Sequence, residues 1–299
     1  MGARPWPAIA AARVDAGGRL PFLFGHVRVG SIAPQELDFI ADATRGTRGW
    51  AVATSAVVLD APVAARDELL AEADAVLRQA GRIRAWRDEP YPVFDPRSGV
   101  PLARMERAAA RLWGTLTLGA HATGWVAGAD GRPRQLWIAE RSATKTTDPG
   151  ALDNLVGGGV PAGQTAWQAL LREGWEEAGL DERTMARAQR GRVIEIVRPV
   201  AEGWQWEWLY AFDLRLAPAV EPCNQDGEVA AFHRLPVEAA LALAAGDTMT
   251  VDASLVTLEF ALRHGLLDGA AAAAEAASAT LWLAQPAIDS GAPVPPARP

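Results

Sequence analysis

The sequence predicts an α/β protein in which a smaller α+β domain precedes a larger α/β domain. Its 299 residues suit two domains, since single domains usually contain about 100–150 residues. Helix-like and strand-like patterns alternate along the chain, and their character changes near residue 113. Hydrophobic residues make up 49% of the chain, which suffices for packed cores and excludes a protein that is disordered throughout. We therefore expect an N-terminal domain (1–113), a second domain (114–268) and an Ala/Pro-rich C-terminal helix and tail (269–299).

Charge and cysteine content exclude several classes of protein. The net charge of −7 argues against a protein that binds nucleic-acid backbones, because such proteins carry a basic surplus. Cys223 is the only cysteine, which excludes an intramolecular disulfide framework and a cysteine-rich zinc site. No stretch approaches the roughly 18 apolar residues of a membrane-spanning helix, and the first residues lack the apolar run of a secretory signal. We expect a soluble, cytoplasmic protein with no membrane or nucleic-acid partner.

The N-terminal domain has recognisable elements only after residue 33. A proline suits the first turn of a helix, a β-branched run between turn residues indicates a strand, and apolar residues at helical spacing indicate a helix. These patterns predict a helix at 35–43, a strand at 50–59, a helix at 62–81 that ends at Gly81, and a linking helix at 105–114. The residues before 34 are punctuated by Gly and Pro and indicate no regular element.

The second domain is predicted to contain four long strands and three helices. The strands are 115–128, 134–142, 192–203 and 204–214, and the helices are 165–178, 233–246 and 254–263. In the fourth strand Trp204, Trp206 and Trp208 face one side, with Gln205 and Glu207 on the other. We expect the tryptophans in the core of the sheet, and stacking on a heteroaromatic ligand is the alternative. The last part of the chain is expected to be a frayed helix and a loose tail.

The segment from Gly157 to Leu180 carries the chemistry. A glycine-rich loop lets backbone N–H groups approach an anion, and the helix that follows has an electropositive N-terminus. On that helix Glu173, Glu176 and Glu177 have i, i+3 and i+4 spacing, so three carboxylates share one face and repel one another unless a cation neutralises them. Hard oxygen ligands of this kind suit Mg²⁺ or Mn²⁺. A solvated acidic helix face is the alternative.

This segment resembles the Nudix box, which is a glycine, a glutamate six residues later, and then Arg-Glu-U-x-Glu-Glu-x-Gly-U with U apolar. The residues that match the box are Gly158, Arg172, Glu173, Glu176, Glu177, Gly179 and Leu180. Two positions depart from it, because Gln164 replaces the early glutamate and Gly174 replaces the first apolar residue. The resemblance implies an α/β/α sandwich with a mixed sheet, and Mg²⁺ (or Mn²⁺) bound by the three helix carboxylates. Since Gln164 removes one carboxylate, the number of ions stays open.

The resemblance extends to one branch of the family. Segments such as WIAERSATKTTDPGALDNLVGGGVPAG, ERAAARLWG, NQDGEVAAFHRLPVEAAL and SLVTLEFALRHGLL are similar to Nudix proteins that carry an N-terminal domain of unknown function and are related to the Nudix part of some thiamine pyrophosphokinases. It implies a diphosphatase that acts on thiamine-diphosphate-like compounds, oxidised or damaged ones above all, as in metabolite repair. Other nucleoside-diphosphate-linked metabolites are the broader option. Several members of this branch also lack the early glutamate, so Gln164 is compatible with activity.

The implied reaction is the attack of water on a diphosphate bond, and the resemblance assigns roles to particular side chains. The expected catalytic residues are Glu177, Glu176, Glu228 and Arg172, and the expected substrate-binding residues are Lys145, Arg141, Gly158 and Gly159. Glu177 and Glu228 are the two candidates for accepting the proton from water. Lys145 is the only lysine of the chain, whereas Arg141 has surface charge as a strong alternative role. For Glu228 the alternative is a solvated turn residue.

Two other functions stay open. One is a non-hydrolysing, ligand-binding regulator on the same scaffold, which Gln164 favours and the intact helix carboxylates oppose. The other is an enzyme like isopentenyl-diphosphate isomerase, which needs a cysteine early in the sheet, whereas Cys223 follows the box. The oligomeric state is also open, a homodimer included. The N-terminal domain is expected to cover the site or to contribute specificity.

Several polar residues are expected to have structural roles only. We predict that His121 is a hydrogen-bonded structural histidine and that Asp153 and Asn154 order a loop. Cys223 has no histidine near it in the sequence and is expected to be a packing residue.

Overall fold

The computed structural model describes residues 6–15 and 17–292 of the chain. Its strands are β1 (Leu20–Phe24), β2 (Val27–Ile32), β3 (Trp50–Ala53), β4 (Ala56–Leu59), β5 (Pro90–Phe94), β6 (Pro101–Glu106), β7 (Leu116–Ala127), β8 (Pro133–Arg141), β9 (Leu152–Asp153), β10 (Val156–Gly159), β11 (Gln189–Val200), β12 (Gly203–Leu216), β13 (Val229–Pro236) and β14 (Trp282–Leu283). Its α-helices are α1 (Pro7–Ala12), α2 (Leu37–Ala43), α3 (Val63–Gln79), α4 (Ala109–Trp113), α5 (Ala166–Ala178), α6 (Glu182–Met185), α7 (Val237–Ala244), α8 (Val251–Arg263) and α9 (Ala271–Ser278). None of the helices in these ranges has the length and apolar character needed to cross a bilayer.

The N-terminal part forms the predicted α+β arrangement. Four strands pair in the order β2-β1-β4-β3, and β1 and β4 run parallel while the other neighbours run antiparallel. One face of this sheet packs against α3 and the segment around α4. Phe22, Trp50 and Trp113 stack there, with ring centroids 4.6 to 6.1 Å apart. Trp113 is fully buried, so the end of the N-terminal part is fixed by aromatic packing.

Several predicted elements of this part need correction. The strand expected at 50–59 is a hairpin, because Thr54 and Ser55 form a turn between β3 and β4. The residues before 34 contain α1 and the hairpin of β1 and β2, which turns at Gly25 with a positive φ of 57°. The linking helix begins only at Ala109, since Met105 and Glu106 belong to β6 and pair with β5.

The larger sheet is mixed and lies between helices, which confirms the predicted α/β/α sandwich. Its main path is β13-β8-β7-β12-β11-β14, with β10 paired to β7 and β9 paired to β8. The central neighbours β7 and β12 run parallel, and the remaining pairs run antiparallel. Helix α5 packs on one face, and α1, α7 and α8 pack on the other. The tryptophan face of β12 lies on the α5 side, where Trp206 and Trp208 belong to the core as predicted.

Both ends of the described chain pack onto this sheet. Helix α1 contacts α8 and β11, and β14 pairs with β11. Tyr210 Oη donates a hydrogen bond of 2.6 Å to the carbonyl of Ile288, and the N–H of Trp167 donates one of 2.8 Å to the carbonyl of Ser290. The expectation of a loose tail is therefore wrong up to residue 292, and its last seven positions, 293–299, lie outside the described residues. The division of the chain at residues 113 and 268 stays a prediction.

Candidate active site

The acidic helix α5 is fixed at both ends by its own sequence. Thr165 is its N-cap: its hydroxyl accepts a hydrogen bond from the N–H of Gln168, while the Gln168 side chain accepts one from the N–H of Thr165. Gly179 ends the helix with a φ of 63°, in the left-handed region that favours glycine. At Gly174 a Cβ would lie 2.5 Å from the sulfur of Met185, so a glycine replaces the apolar residue of the motif where α6 packs closely.

Arg172 ties the first two carboxylates of the helix together. Its Nη2 donates to Glu173 at 2.8 Å and its Nη1 donates to Glu176 at 2.6 Å. Its Nε lies 3.4 Å from the side-chain oxygen of Gln164. The amide at position 164 therefore still contacts the arginine, although it adds no negative charge to the site.

Glu173 and Glu177 are the buried members of the acidic cluster. Burial raises the pKa of Glu173, and the neighbouring Arg172 opposes this shift. Burial also raises the pKa of Glu177 to about 8, against the effect of Lys145. The N–H of Gly157 donates a hydrogen bond of 2.8 Å to Glu177. Two carboxylates one turn apart, both shielded from water, make a site that favours a bound cation.

Lys145 connects the helix to the loop that precedes β13. Its ammonium group lies 3.4 Å from Glu177 and also contacts Glu228. Burial alone would raise the pKa of Glu228, but the contact with Lys145 outweighs it and holds that pKa below the usual range. The structure thus brings together three residues that are far apart in the sequence, as the predicted site requires.

The three glycines Gly157, Gly158 and Gly159 form a strand, which corrects the expected glycine-rich loop. They pair with Gly119, Ala120 and His121 of β7. Side chains occupy the space that a Cβ would need: the ring of His121 at Gly157, the carboxylate of Glu173 at Gly158 and the hydroxyl of Tyr91 at Gly159. The glycines are therefore needed for close approach on both faces of β10.

Arg141 orders the loop between β8 and β9. Its Nη1 donates to Asp153 at 2.8 Å, and its other guanidinium nitrogens donate to the carbonyls of Thr147 and Asp148. Asp148 has a positive φ of 46°, an unfavourable conformation for a residue with a side chain, which these bonds stabilise. Each nitrogen of the Arg141 guanidinium already donates to a protein oxygen, so its geometry suits loop ordering better than phosphate binding.

A cavity of about 540 Å³ lies beside the acidic helix, between the two parts of the chain. The N-terminal part contributes Arg84, Ala85, Arg87, Tyr91, Arg107, Ala108 and Arg111 to its lining. The second part contributes Lys145 and Gly157–Gly159 on one side. Among the described residues that line it, none is one of the three helix carboxylates, which lie behind β10. Lys145 contacts Glu177 of the acidic cluster and also lines the cavity, so it connects the two.

The floor of the cavity carries a pair of carboxylates on the polar face of β12 and at the start of α8. The amide nitrogen of Gln205 lies 3.0 Å from Glu207 and 3.2 Å from Asp252, so one donor group joins both. Burial raises the pKa of Asp252, and Glu207 adds to this shift. Burial would also raise the pKa of Glu207, but Arg111 and Gln205 hold it below its usual range. Glu207 is therefore the member of the pair that loses its proton first and carries the negative charge.

Apart from Lys145 and Arg141, the sequence analysis missed the cavity residues outside the motif. Gln205 and Glu207 gave a signal, because two polar residues alternate with tryptophans on a strand that a mixed sheet would bury on both faces. Asp252 gave no such signal in the sequence, since an acidic residue in the first turn of a helix is common. Tyr91 and Arg107 could not be found from their own segment, since they reach the cavity only through the docking of β5 and β6 onto the second part.

The predicted hydrogen bonding of His121, Asp153 and Asn154 is confirmed, although His121 and Asp153 also line the cavity, and the prediction for Cys223 is wrong. His121 Nδ1 lies 3.1 Å from the side-chain oxygen of Asn154, which agrees with a structural histidine. Asp153 and Asn154 order their surroundings through Arg141, His121 and the N-terminal turn of α8. Cys223 is exposed, so it is not the packing residue that we expected.

The three helix carboxylates suit a hard divalent cation, although in this structure they pair with Arg172 and Lys145. Among the described residues, no three His, Cys, Asp or Glu side chains converge on one point as metal ligands. Instead Arg172 holds Glu173 and Glu176, and Lys145 holds Glu177. Carboxylate oxygens are the ligands that Mg²⁺ prefers, and two of these groups are buried at a cost that a cation offsets. The residues present therefore fit Mg²⁺ or Mn²⁺.

Comparison with known families agrees with this geometry. A model of the NUDIX domain matches residues 118–253, which contain α5, β10 and the sheet beneath them. A model described as a domain of unknown function, DUF4743, matches residues 8–117. The two matches meet at residues 117 and 118, near the start of β7, and both parts contribute to the lining of the cavity.

Two curated relatives support the same assignment, and a solved structure is similar to part of the chain. The chain is 34% identical over 203 residues to Nudix hydrolase 20, chloroplastic, of Arabidopsis thaliana, covering 68% of this chain and 54% of that protein. It is 30% identical over 139 residues to an uncharacterized Nudix hydrolase of Rhodococcus erythropolis, covering 43% of this chain and 68% of that protein. A crystal structure of a Deinococcus radiodurans protein has 25% identity and a TM-score of 0.45, covering 57% of this chain and 99% of that one. The chain spans about half the length of the plant relatives that it matches.

Proposed function

Because the chain belongs to the Nudix family, we propose that it hydrolyses a diphosphate bond in a small metabolite with Mg²⁺ or Mn²⁺ as the ion. The observation that carries the proposal is the pairing of Glu173 and Glu177 with Arg172 and Lys145 beside a cavity of about 540 Å³. Buried carboxylates, cations and an adjoining cavity are the parts that phosphoryl transfer to water uses, since its catalysis is mainly positioning and charge neutralisation.

Glu173, Glu176 and Glu177 are the residues that would hold the ion. Bound Mg²⁺ stabilises the negative charge on diphosphate oxygens. Arg172 fixes the rotamers of Glu173 and Glu176 through hydrogen bonds of 2.8 and 2.6 Å. Gln164 contacts the same arginine without adding a charge, so the number of ions stays open.

We favour Glu228 over Glu177 as the residue that accepts the proton from water. Both oxygens of Glu177 already have partners, Lys145 and the N–H of Gly157, and its side chain is buried. The Glu228 side chain is 38% exposed, and only one of its oxygens contacts Lys145. Water can therefore reach Glu228, which supports its role as the base, and Glu177 is left as an ion ligand in this proposal.

We further infer that the substrate is a thiamine-diphosphate-like compound, oxidised or damaged forms included. Such a molecule joins an anionic diphosphate to a cationic ring and an amino-substituted ring. The cavity offers groups of both charges, because Lys145 and Arg107 line it together with Glu207 and Asp252. Carboxylates of this kind accept hydrogen bonds from amino groups and favour a cation. This match and the family resemblance support the substrate class.

The experiment is an assay of the purified protein with Mg²⁺ against thiamine diphosphate, its oxo and oxy analogues, ADP-ribose, NADH, coenzyme A, FAD and nucleoside triphosphates. Phosphorus NMR distinguishes released phosphate from monophosphate products. Glu176→Gln and Glu177→Gln remove ion ligands, and Glu182→Gln, at an exposed position in α6, is the matched control. We expect turnover of the thiamine compounds to monophosphates, lost in the first two variants and retained in the third.

The other outcomes separate the parts of the proposal. Turnover of a different diphosphate keeps the hydrolytic function and removes the thiamine substrate. Tight binding by calorimetry without turnover of any compound contradicts hydrolysis and favours a non-hydrolysing binding protein. The cytoplasmic location stays a prediction, which immunofluorescence or fractionation of the source cells tests.

A further inference from the structure

We propose that the β5–β6 hairpin of the N-terminal part completes the substrate site, with Arg107 and Tyr91 binding phosphate oxygens of the diphosphate. The inference deepens the proposed function and rests on it for the chemical class of the ligand. It gives a role to a domain whose family description states none. The hairpin reaches the site because β5 and β6 pair antiparallel and the N–H of Ala162, just after the glycine strand, donates to the carbonyl of Pro90.

Tyr91 presents a buried hydroxyl that has no protein partner. The residue is 3% exposed, it lines the cavity, and its Oη makes no hydrogen bond to any residue that the structure describes. A buried tyrosine hydroxyl normally finds a partner, since leaving one unmade costs about 1–3 kcal/mol. The hydroxyl lies against the backbone of Gly159, the last residue of the glycine strand. A ligand oxygen at this strand would supply the missing partner.

Arg107 places a cation beside the same glycine. Its Nη1 donates to Glu89 at 2.8 Å, and its guanidinium carbon lies 5.3 Å from the centre of the Tyr91 ring. Its Nη2 points toward Gly159, 3.5 Å from where a Cβ would stand there. Within the described chain this nitrogen has no hydrogen-bond acceptor among the protein atoms, so it is free to donate to a ligand. An arginine that served only to hold the two parts together would donate to an oxygen of the second part.

Two cations stand near the two ends of the glycine strand. Lys145 stands near Gly157, whose N–H binds the same carboxylate as the lysine, and Arg107 stands near Gly159. Gly157 and Gly159 lie two positions apart on β10, so about 3.3 Å per residue separates them by roughly 7 Å. Cations at both ends of such a short strand suit an anion with two phosphate groups.

The position of Arg107 is fixed by the carboxylate that precedes it. Glu106 is buried, and it accepts hydrogen bonds from the N–H groups of Arg87 at 2.9 Å and Glu89 at 3.1 Å. The segment that it holds includes Ala85 and Asp88, both at a positive φ near 58°. Residues with side chains adopt this conformation at a cost, and such residues concentrate at binding sites. The segment just before the hairpin is therefore held in a strained but defined shape next to the cavity.

The test is calorimetric binding of inorganic diphosphate at one fixed Mg²⁺ concentration. Arg107→Ala removes the cation, and Tyr91→Phe removes only the hydroxyl. The matched control is Arg104→Ala, because Arg104 lies in β6 three residues before Arg107 but is exposed and binds Asp67 at 2.8 Å. We expect binding to weaken about 10- to 100-fold in Arg107→Ala and about 2- to 10-fold in Tyr91→Phe. Arg104→Ala should bind as the unmodified protein does.

Folding and charge are checked within the same series. Thermal unfolding of each variant shows whether it is folded, and Tyr91→Phe keeps the ring that packs against Gly159. Arg107→Lys keeps the charge but loses the planar donor pair, so it should recover part of the affinity. Unchanged binding in folded Arg107→Ala and in folded Tyr91→Phe would overturn the inference. So would an unmodified protein that does not bind diphosphate.

The failure of this inference is distinguishable from failure of the proposed function. Binding is measured without any requirement for hydrolysis. If Arg107→Ala binds diphosphate as well as the unmodified protein while both hydrolyse a substrate, the hairpin has no role in phosphate binding and the proposed function stands. If the variants lose binding but the unmodified protein hydrolyses no compound of the panel, the hairpin site stands and the hydrolytic function fails.

Discussion

Lys145 Nζ lies 3.4 Å from Glu177 Oε1 and contacts Glu228 on its other side. The lysine side chain is only 9% exposed, so its charge is compensated almost wholly by these two carboxylates. The sequence contains 29 Lys and Arg residues, of which only this one is a lysine. A compact ammonium with three rotatable donors suits a position between two carboxylates, where a planar guanidinium would fit poorly.

Removing the lysine charge should destabilise the protein in the absence of metal. At pH 9, above the pKa of about 8 that burial gives Glu177, Lys145→Met leaves this group as a buried carboxylate without its cation, and loss of one partner of a buried ion pair costs about 3 kcal/mol or more. We expect the free energy of unfolding to fall by about 3 kcal/mol in EDTA. Urea denaturation followed by circular dichroism measures it.

Divalent metal should restore part of this loss. If Mg²⁺ binds at Glu177, it replaces the missing charge, so added Mg²⁺ should stabilise Lys145→Met more than it stabilises the unmodified protein. Lys145→Arg, which keeps the charge, is the control and should show a smaller loss. Equal stabilisation of both proteins by Mg²⁺ would argue against metal binding at Glu177.

A side chain at Gly158 should disturb the metal site more than the fold. A Cβ there would overlap the Glu173 side chain, which can rotate away, whereas the backbone pairing with Ala120 can stay. For Gly158→Ala we expect at least tenfold lower kcat at fixed Mg²⁺ and a higher Mg²⁺ requirement, with Tm lowered by only a few degrees. The measurement is a Mg²⁺ titration of the hydrolysis rate. Gly17→Ala, where no atom lies within 4 Å of the added carbon, should leave both quantities unchanged.

Local patterns were enough to predict the acidic helix and the faces of β12. The capping residues, the closing Gly179 and the spacing of the glutamates all act within one or two turns, so the sequence itself contains the interactions that fix α5. The alternation of tryptophans with Gln205 and Glu207 follows from the two-residue period of a strand. The sandwich was predicted through the resemblance to the Nudix family rather than through the strand patterns.

Contacts between distant segments could not be predicted in this way. Three glycines in a row lack the β-branched residues of a typical strand, and they form one because His121, Glu173 and Tyr91 fill the space beside them. These three residues come from β7, α5 and the N-terminal hairpin. The floor of the cavity likewise combines Glu207 of β12 with Asp252 of α8. No pattern within a single segment encodes either arrangement.

Asp74 should make the stability of the protein fall as the pH rises. Its Oδ1 accepts a hydrogen bond of 2.7 Å from Trp113, its Oδ2 has no partner among the described residues, and Glu106 adds a negative charge nearby. Burial raises its pKa from 3.8 to about 7. Between these values the unfolded chain is ionised while the folded one keeps its proton, so stability declines through this window by up to about 4 kcal/mol.

Asp74→Asn removes this titration. We expect its free energy of unfolding to vary less between pH 4 and 8 than that of the unmodified protein. The stability of the variant relative to the unmodified protein should therefore be higher at pH 8 than at pH 4. Urea denaturation at several pH values measures the difference. Asp42→Asn, at an exposed position in α2, is the control and should leave the pH dependence as it is. A parallel pH dependence in Asp74→Asn and the unmodified protein would contradict a protonated Asp74.

Asp252 should distinguish the ring end of the substrate from its phosphate end. It lies on the cavity floor, where its oxygens accept hydrogen bonds only from Gln205 among the described residues, so they can also accept one from an amino group or attract a cationic ring. Asp252→Asn replaces one acceptor oxygen with a donor, and a mispaired buried group costs about 1–3 kcal/mol. We expect KM for thiamine diphosphate to rise about tenfold or more with kcat changed less, while the Kd for inorganic diphosphate stays the same. Asp247→Asn, exposed after α7, is the control. If Asp252→Asn weakens the binding of inorganic diphosphate as much as that of the whole substrate, the variant disturbs the site generally and the ring does not bind at the floor.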